Sequence, residues 1–168
     1  MEKPLIIDVG TGSGAIAISL AAEIASGRVI ASELSAAALR VARENSRRLC
    51  QTPIDFLQAD LLTPLSAQFN LICANLPYIP SGTLKTLETS RWEPALALDG
   101  GENGLDSIQR LLKQSISRLA PQGVILLEIE ASQGSSVLAL AKEMFPNAQS
   151  KVIRDLSGRD RIVEIQQI

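Results

Sequence analysis

The 168 residues include no histidine, which removes the base of a Ser-His-Asp triad and the commonest nitrogen ligand for zinc. The only two cysteines, Cys50 and Cys73, are too far apart for a C-x-x-C pair, so both read as reduced core thiols rather than a redox or zinc-thiolate centre. No apolar run is long enough to span a membrane, and stretches such as Val124 to Leu127 end after a few residues. No basic segment followed by an apolar one opens the chain, so no secretory leader is read and the expected location is the cytoplasm. A basic excess is missing as well. Sixteen Lys and Arg against 18 Asp and Glu leave a formal charge of −2, which counts against a stand-alone binder of nucleic-acid phosphates.

What remains is a globular composition, 46% hydrophobic and 20% charged, at a length that fits one domain. Leu5 to Val9 reads as a buried strand ending in a glycine cluster, followed by helical spacing from Ser13 to Ser26. Arg28 to Glu33 is a second strand. Ser35 is placed to cap a helix running to about Cys50. Strands follow at Pro53 to Leu57 and Phe69 to Ala74. Prolines and glycines then keep Asn75 to Gly104 irregular, and a loop of that length in a small domain usually serves function. Leu105 to Leu119 returns to helical period, Val124 to Ile129 is a strand, and Ser136 to Phe145 a helix. Lys151 to Asp155 and Arg161 to Ile165 flank a turn and predict a hairpin. The whole predicts one doubly wound α/β domain, its mostly parallel sheet closed by a C-terminal antiparallel hairpin.

Asp8-Val9-Gly10-Thr11-Gly12-Ser13-Gly14 joins the first strand to the first helix, where open α/β sheets bind ligands at their carboxyl edge. Glycines there let a cofactor lie against the backbone and permit positive φ. Glu33, at the end of the second strand, is placed to accept hydrogen bonds from both hydroxyls of a ribose. Gly10, Gly12 and Ala15 also satisfy the dinucleotide fingerprint G-x-G-x-x-A, so NAD stays open on this evidence alone. Asp8 tilts the choice toward S-adenosylmethionine, because a carboxylate suits its sulfonium and ammonium groups and disfavours a pyrophosphate.

Asn75-Leu76-Pro77-Tyr78 follows the fourth strand at the same edge. The Asn75 side-chain carbonyl and the Leu76 backbone carbonyl can accept both hydrogens of a planar NH₂ group. Pro77 restricts Leu76 to extended conformations, and Tyr78 offers a flat face to a flat amide or base. Two acceptors aimed at the hydrogens of an amide favour charge build-up on its poorly nucleophilic nitrogen, without a histidine base.

With Ile7 to Ala17 and Ala74 to Pro80, the chain resembles methyltransferases that act on amides and exocyclic amines. Two further blocks, Glu93 to Asp106 and Leu156 to Arg161, are similar to a narrower group, the HemK/PrmC family of protein-(glutamine-N5) methyltransferases that modify peptide-chain release factors. The resemblance implies a Rossmann-like class I methyltransferase catalytic domain over residues 1–168. Its substrate would be the glutamine of the Gly-Gly-Gln motif in a release factor. It implies that Asp8 and Gly10 to Gly14 hold S-adenosylmethionine, that Glu33 binds its ribose, and that Asp60 and Leu61 lie by the adenine. Asn75, also at the cofactor, would grip the glutamine amide together with Leu76, Pro77 and Tyr78. Leu76, Glu33 and Glu130 stand where the family usually has Pro, Asp and Gly. Family members carry a helical domain before the first strand; this chain starts at that strand, and the expectation is that the helical domain is absent. The competing readings are an N6-adenine methyltransferase on DNA or RNA and a cofactor-binding module without activity. Trp92 and Glu93 are weaker candidates for the substrate mouth, and Arg110, Lys113 and Arg118 read as a solvated helix face.

Overall fold

Short apolar strands joined by helices run parallel, because each crossover returns the chain to the same edge of the sheet. The computed structural model describes residues 3–24, 26–84 and 98–168. Its strands are β1 Leu5–Val9, β2 Arg28–Glu33, β3 Ile54–Gln58, β4 Phe69–Ala74, β5 Leu119–Glu128, β6 Gln149–Arg154 and β7 Asp160–Gln166. They form one sheet in the order β3-β2-β1-β4-β5-β7-β6. The first five are mutually parallel, and β7 runs antiparallel to both β5 and β6.

The helices are α1 Ala15–Glu23, α2 Ala36–Leu49, a short α3 Ser81–Leu84, α4 Asp106–Ser115 and α5 Gly134–Met144. Ile6 and Ile7 are neighbours in β1 and therefore face opposite sides of the sheet. Ile6 joins Ala17 and Ala21 of α1 and Val29 and Ala31 of β2 in a small core. Ile7 and Val9 belong to the larger core, with Ile72, Ile125 and Leu127 of the sheet, Ile108, Leu111 and Leu112 of α4, and Val137 and Ala141 of α5. Ser35 caps α2 as expected, its hydroxyl accepting from the Ala38 N–H at 3.3 Å.

The largest departure lies between α4 and β5. The helix expected to reach Leu119 stops at Ser115, and the strand expected at Val124 begins at Leu119. Arg118 supplies the reason. Its N–H donates to the Ser115 carbonyl at 3.0 Å, and its guanidinium donates to the carbonyls of Leu65 and Gln114 at 2.5 and 3.1 Å. Leu119 then pairs with Phe69 of β4, while Val124 pairs with Leu71. The surplus residues bulge from β5 with Gln122 at φ 60°, which admits Pro121 without a ladder N–H. Smaller differences occur elsewhere: α1 is shorter at both ends than the expected Ser13 to Ser26, β3 starts after Pro53, and α5 starts two residues before Ser136.

Candidate active site

Parallel strands deliver their carboxyl ends to one edge, and every residue singled out for chemistry follows or ends one of them. The chain leaves β1 toward β2 but leaves β4 toward β5, so the crevice opens between β1 and β4. There the two motifs meet. A Cβ on Gly10 would stand 2.8 Å from Leu76 Cδ2 and 3.9 Å from the Asn75 carbonyl oxygen. Gly14 is needed by packing too, since its Cβ would lie 3.2 Å from Ala42 of α2. Gly12 differs. At φ 55° its Cβ would approach nothing nearer than the Gly10 carbonyl at 4.0 Å, so that side of the loop is open.

The loop is fastened from three directions. The N–H groups of Gly10 and Thr11 both donate to the Ser32 carbonyl, at 2.9 and 3.0 Å, and the Asn45 amide donates to the Ser13 carbonyl at 2.9 Å. From below, Asp8 Oδ2 accepts from the Thr11 hydroxyl at 2.5 Å and the Ala17 N–H at 3.0 Å. Asp8 is 1% exposed, so the carboxylate expected to face a cationic ligand is directed into the loop and acts on the crevice only through its field. Its Oδ1 has no hydrogen-bond partner among the described residues. Burial, only partly offset by those hydrogen bonds, pushes its pKa up to about 6. Burial, followed by the charge of Asp8, pushes the Cys73 thiol up to about 12, as befits an inert core cysteine.

Glu33 reaches back to the loop, its Oε2 accepting from the Gly12 N–H at 2.9 Å and its Oε1 from the Ser35 N–H at 2.8 Å. A carboxylate offers about four acceptor sites, which leaves room for two further donors. Leu34 beside it is 48% exposed, an apolar side chain on the rim that the sequence reading passed over. Asp60 pairs with Arg110 at 2.5 Å, and Leu61 is buried with φ 54°, an uncommon conformation for a leucine. α4 pins this turn further, with Gln114 accepting from the Leu62 N–H at 2.8 Å. Arg110 and Arg118 are therefore not a free solvated face; they brace the turn after β3.

In the tetrapeptide, Leu76 is buried, Pro77 and Tyr78 are half-buried and Asn75 is exposed. Among the described residues nothing bonds the Asn75 carboxamide or donates to the Leu76 carbonyl. The chain beyond is strapped down: the Ile79 N–H donates to the Leu98 carbonyl at 3.1 Å and the Gly100 N–H to the Ile79 carbonyl at 2.8 Å. Asp99 accepts from the Ser81 hydroxyl at 2.6 Å and the Gly101 N–H at 3.0 Å, bonds that hold its carboxyl below the usual range. The block at Leu156 to Arg161 lies at the β6–β7 turn, where Asp155 Oδ1 accepts from the Ser157 and Arg159 N–H groups. Trp92 and Glu93 fall outside the described residues. No helix among the described residues is long and apolar enough to cross a membrane.

Comparison with known proteins agrees with this geometry. Residues 6–91 match the family model described as a methyltransferase domain. The chain is 44% identical over 163 residues to the release factor glutamine methyltransferase of Moorella thermoacetica, covering 95% of this chain and 58% of that protein. It is 40% identical to the protein of the same name from Deinococcus radiodurans, over 97% of this chain and 58% of the relative. The chain thus spans under two thirds of these relatives. A 16S rRNA methyltransferase of T. thermophilus, solved with AdoMet and guanosine, shares the fold with a TM-score of 0.68, at 21% identity over 98% of this chain and 38% of its own. The adenine alternative finds no favour in the names of the sequence relatives. The chain belongs to the methyltransferase-domain family and matches the release factor glutamine methyltransferases over nearly its whole length.

Proposed function

We propose that this chain transfers the methyl group of S-adenosylmethionine to the side-chain amide nitrogen (N5) of the glutamine in the Gly-Gly-Gln motif of peptide-chain release factors, in the cytoplasm. The observation that carries this reading is the exposed, unpartnered Asn75 carboxamide at the switch point, one residue from the contact of Leu76 with Gly10. The names of the sequence relatives supply the protein substrate.

The crevice suits S-adenosylmethionine. Gly10, Thr11, Gly12, Ser13 and Gly14 form a cradle whose open side is at Gly12, where any side chain would fill the space. Glu33 keeps acceptor sites for two ribose hydroxyls, and Leu34 and Leu61 offer apolar surface near Asp60 for the adenine. When bound, the cofactor supplies an electrophilic methyl group on a sulfonium.

The chain's own residues hold and orient the acceptor. Asn75 Oδ1 and the Leu76 carbonyl each accept one hydrogen of the glutamine NH₂, and Pro77 limits how Leu76 can turn. Tyr78 gives the planar amide a flat surface. As the N–CH₃ bond forms and the S–CH₃ bond breaks, the two acceptors stabilise the positive charge gathering on nitrogen, and its surplus proton passes to solvent. Asn75→Ala tests this: methyl transfer to a release factor should fall by ~10²-fold or more while affinity for S-adenosylmethionine stays within about tenfold. Equal losses in binding and turnover would refute the role given to Asn75.

A further inference from the structure

Gln133 lies between β5 and α5, outside the motifs that carry the proposed chemistry, and is 8% exposed. Its carboxamide engages two distant carbonyls at once: Nε2 donates to the Tyr78 oxygen at 3.2 Å and to the Gly104 oxygen at 3.1 Å. That uses both hydrogens of the amide. Its Oε1 accepts from the Glu130 N–H at 3.0 Å, and its own N–H donates to the Glu130 carbonyl at 2.9 Å. Gly104 is pressed so close that a Cβ would stand 2.2 Å from the Tyr78 oxygen, and its φ of 72° suits glycine. The end of the tetrapeptide, the glycine-rich turn and the start of α5 therefore converge on one side chain.

We propose that Gln133 is a positioning residue for methyl transfer, fixing the Tyr78 backbone and through it the acceptors and ring of Asn75 to Tyr78. The proposal takes from the reading above what is being positioned; the bracket itself stands on the contacts. Asn75 follows Ala74, which β4 pairs to Val9 of β1, and Leu76 is wedged against Gly10, so the near end of the tetrapeptide is held by the sheet. The far end has no strand, only the bridge of Ile79 to Asp99 and the Gln133 amide. Only a side chain with two hydrogens on one nitrogen at this reach serves both carbonyls. A carboxylate there would oppose them, and an apolar side chain would leave them without a donor. The same contacts account for Glu130: the bracket uses only its backbone, while its carboxylate turns outward to the Ser132 N–H and hydroxyl.

Tyr78 is the chain's one tyrosine, so ¹³C-labelled tyrosine reports on this site alone and needs no substrate. The parent should give one sharp set of ring signals. Gln133→Ala and Gln133→Glu should shift or broaden it, while the Gly12 amide resonance stays in place. Against a release factor, both variants should lose kcat by ~10- to 100-fold, the cost of misplacing reacting groups by about an ångström. The KM and the affinity for S-adenosylmethionine should change less than about threefold, because Gln133 touches neither the loop nor Glu33. Relative to the parent's own pH profile, Gln133→Glu should regain kcat as pH falls toward 5, because a protonated carboxyl recovers one donor. An unchanged Tyr78 signal overturns the bracket. An altered signal with unchanged kcat overturns the positioning role, and a pH-independent ratio overturns the donor argument. A parent that leaves the release factor unmethylated refutes the proposed reaction instead, and the tyrosine spectra still decide the bracket.

Discussion

Replacing Asp8 by asparagine probes the foundation of the glycine loop. Asp8 is buried beneath it with one oxygen accepting two hydrogen bonds and the other without a partner, and its pKa stands at about 6 against an ordinary 3.8. Because the folded pKa is raised, the folded state binds this proton more tightly than the unfolded one. Stability from this site is therefore fully present below pH 3.8 and lost as pH rises through about 6. A shift of about two units at 1.36 kcal/mol each makes the full change about 3 kcal/mol, of which about 2 kcal/mol falls between pH 4 and pH 7. Denaturant unfolding of the parent and of Asp8→Asn across that range isolates the term, since all other titrating groups are common to both. The stability of the parent minus that of the variant should decline by about 2 kcal/mol from pH 4 to pH 7. Parallel curves would refute the reasoning, because Asp8 would then be ionised at no cost beneath the loop.

Other consequences follow from the same contacts. Gly12→Val should abolish S-adenosylmethionine binding in calorimetry, since its side chain would fill the open face of the loop and strain φ 55°; retained binding would place the cofactor elsewhere. Glu33→Gln should weaken that binding by about 1–3 kcal/mol, the worth of hydrogen bonds to a charged acceptor, with NAD failing to bind either protein. Arg118→Ala should lower the unfolding free energy by about 1–3 kcal/mol, because the Leu65 and Gln114 carbonyls lose a charged donor; a loss under about 0.5 kcal/mol would mean that water replaces the guanidinium readily. Tyr78→Phe should leave turnover within a few-fold, as the hydroxyl has no partner among the described residues.

The strands and their order were legible because each is an apolar run bounded by glycine, proline or a cap, and Phe69 to Ala74 is found residue for residue. Helical period misled at Leu119: a buried leucine in register with Ile108, Leu111 and Leu112 is equally compatible with a strand once Arg118 turns the chain. Spacing located the site, since Gly10, Glu33 and Asn75 each stand at the end of a parallel strand. It could not tell which way a side chain turns. Asp8 had the composition of a ligand-facing carboxylate, yet its position in a buried strand directs it into the loop. Gln133 carried no local signal, because its partners lie 55 and 29 residues away and only the folded chain brings them together.

The central claim is the identity of the methylated atom. The decisive measurement is mass spectrometry of an intact release factor and of an adenine-containing duplex, each incubated with this chain and S-adenosylmethionine. A mass increase of one methyl group on the glutamine of the Gly-Gly-Gln motif is expected, absent when that glutamine is changed to glutamate and absent from the duplex. A methylated adenine beside an unmodified glutamine would contradict the account.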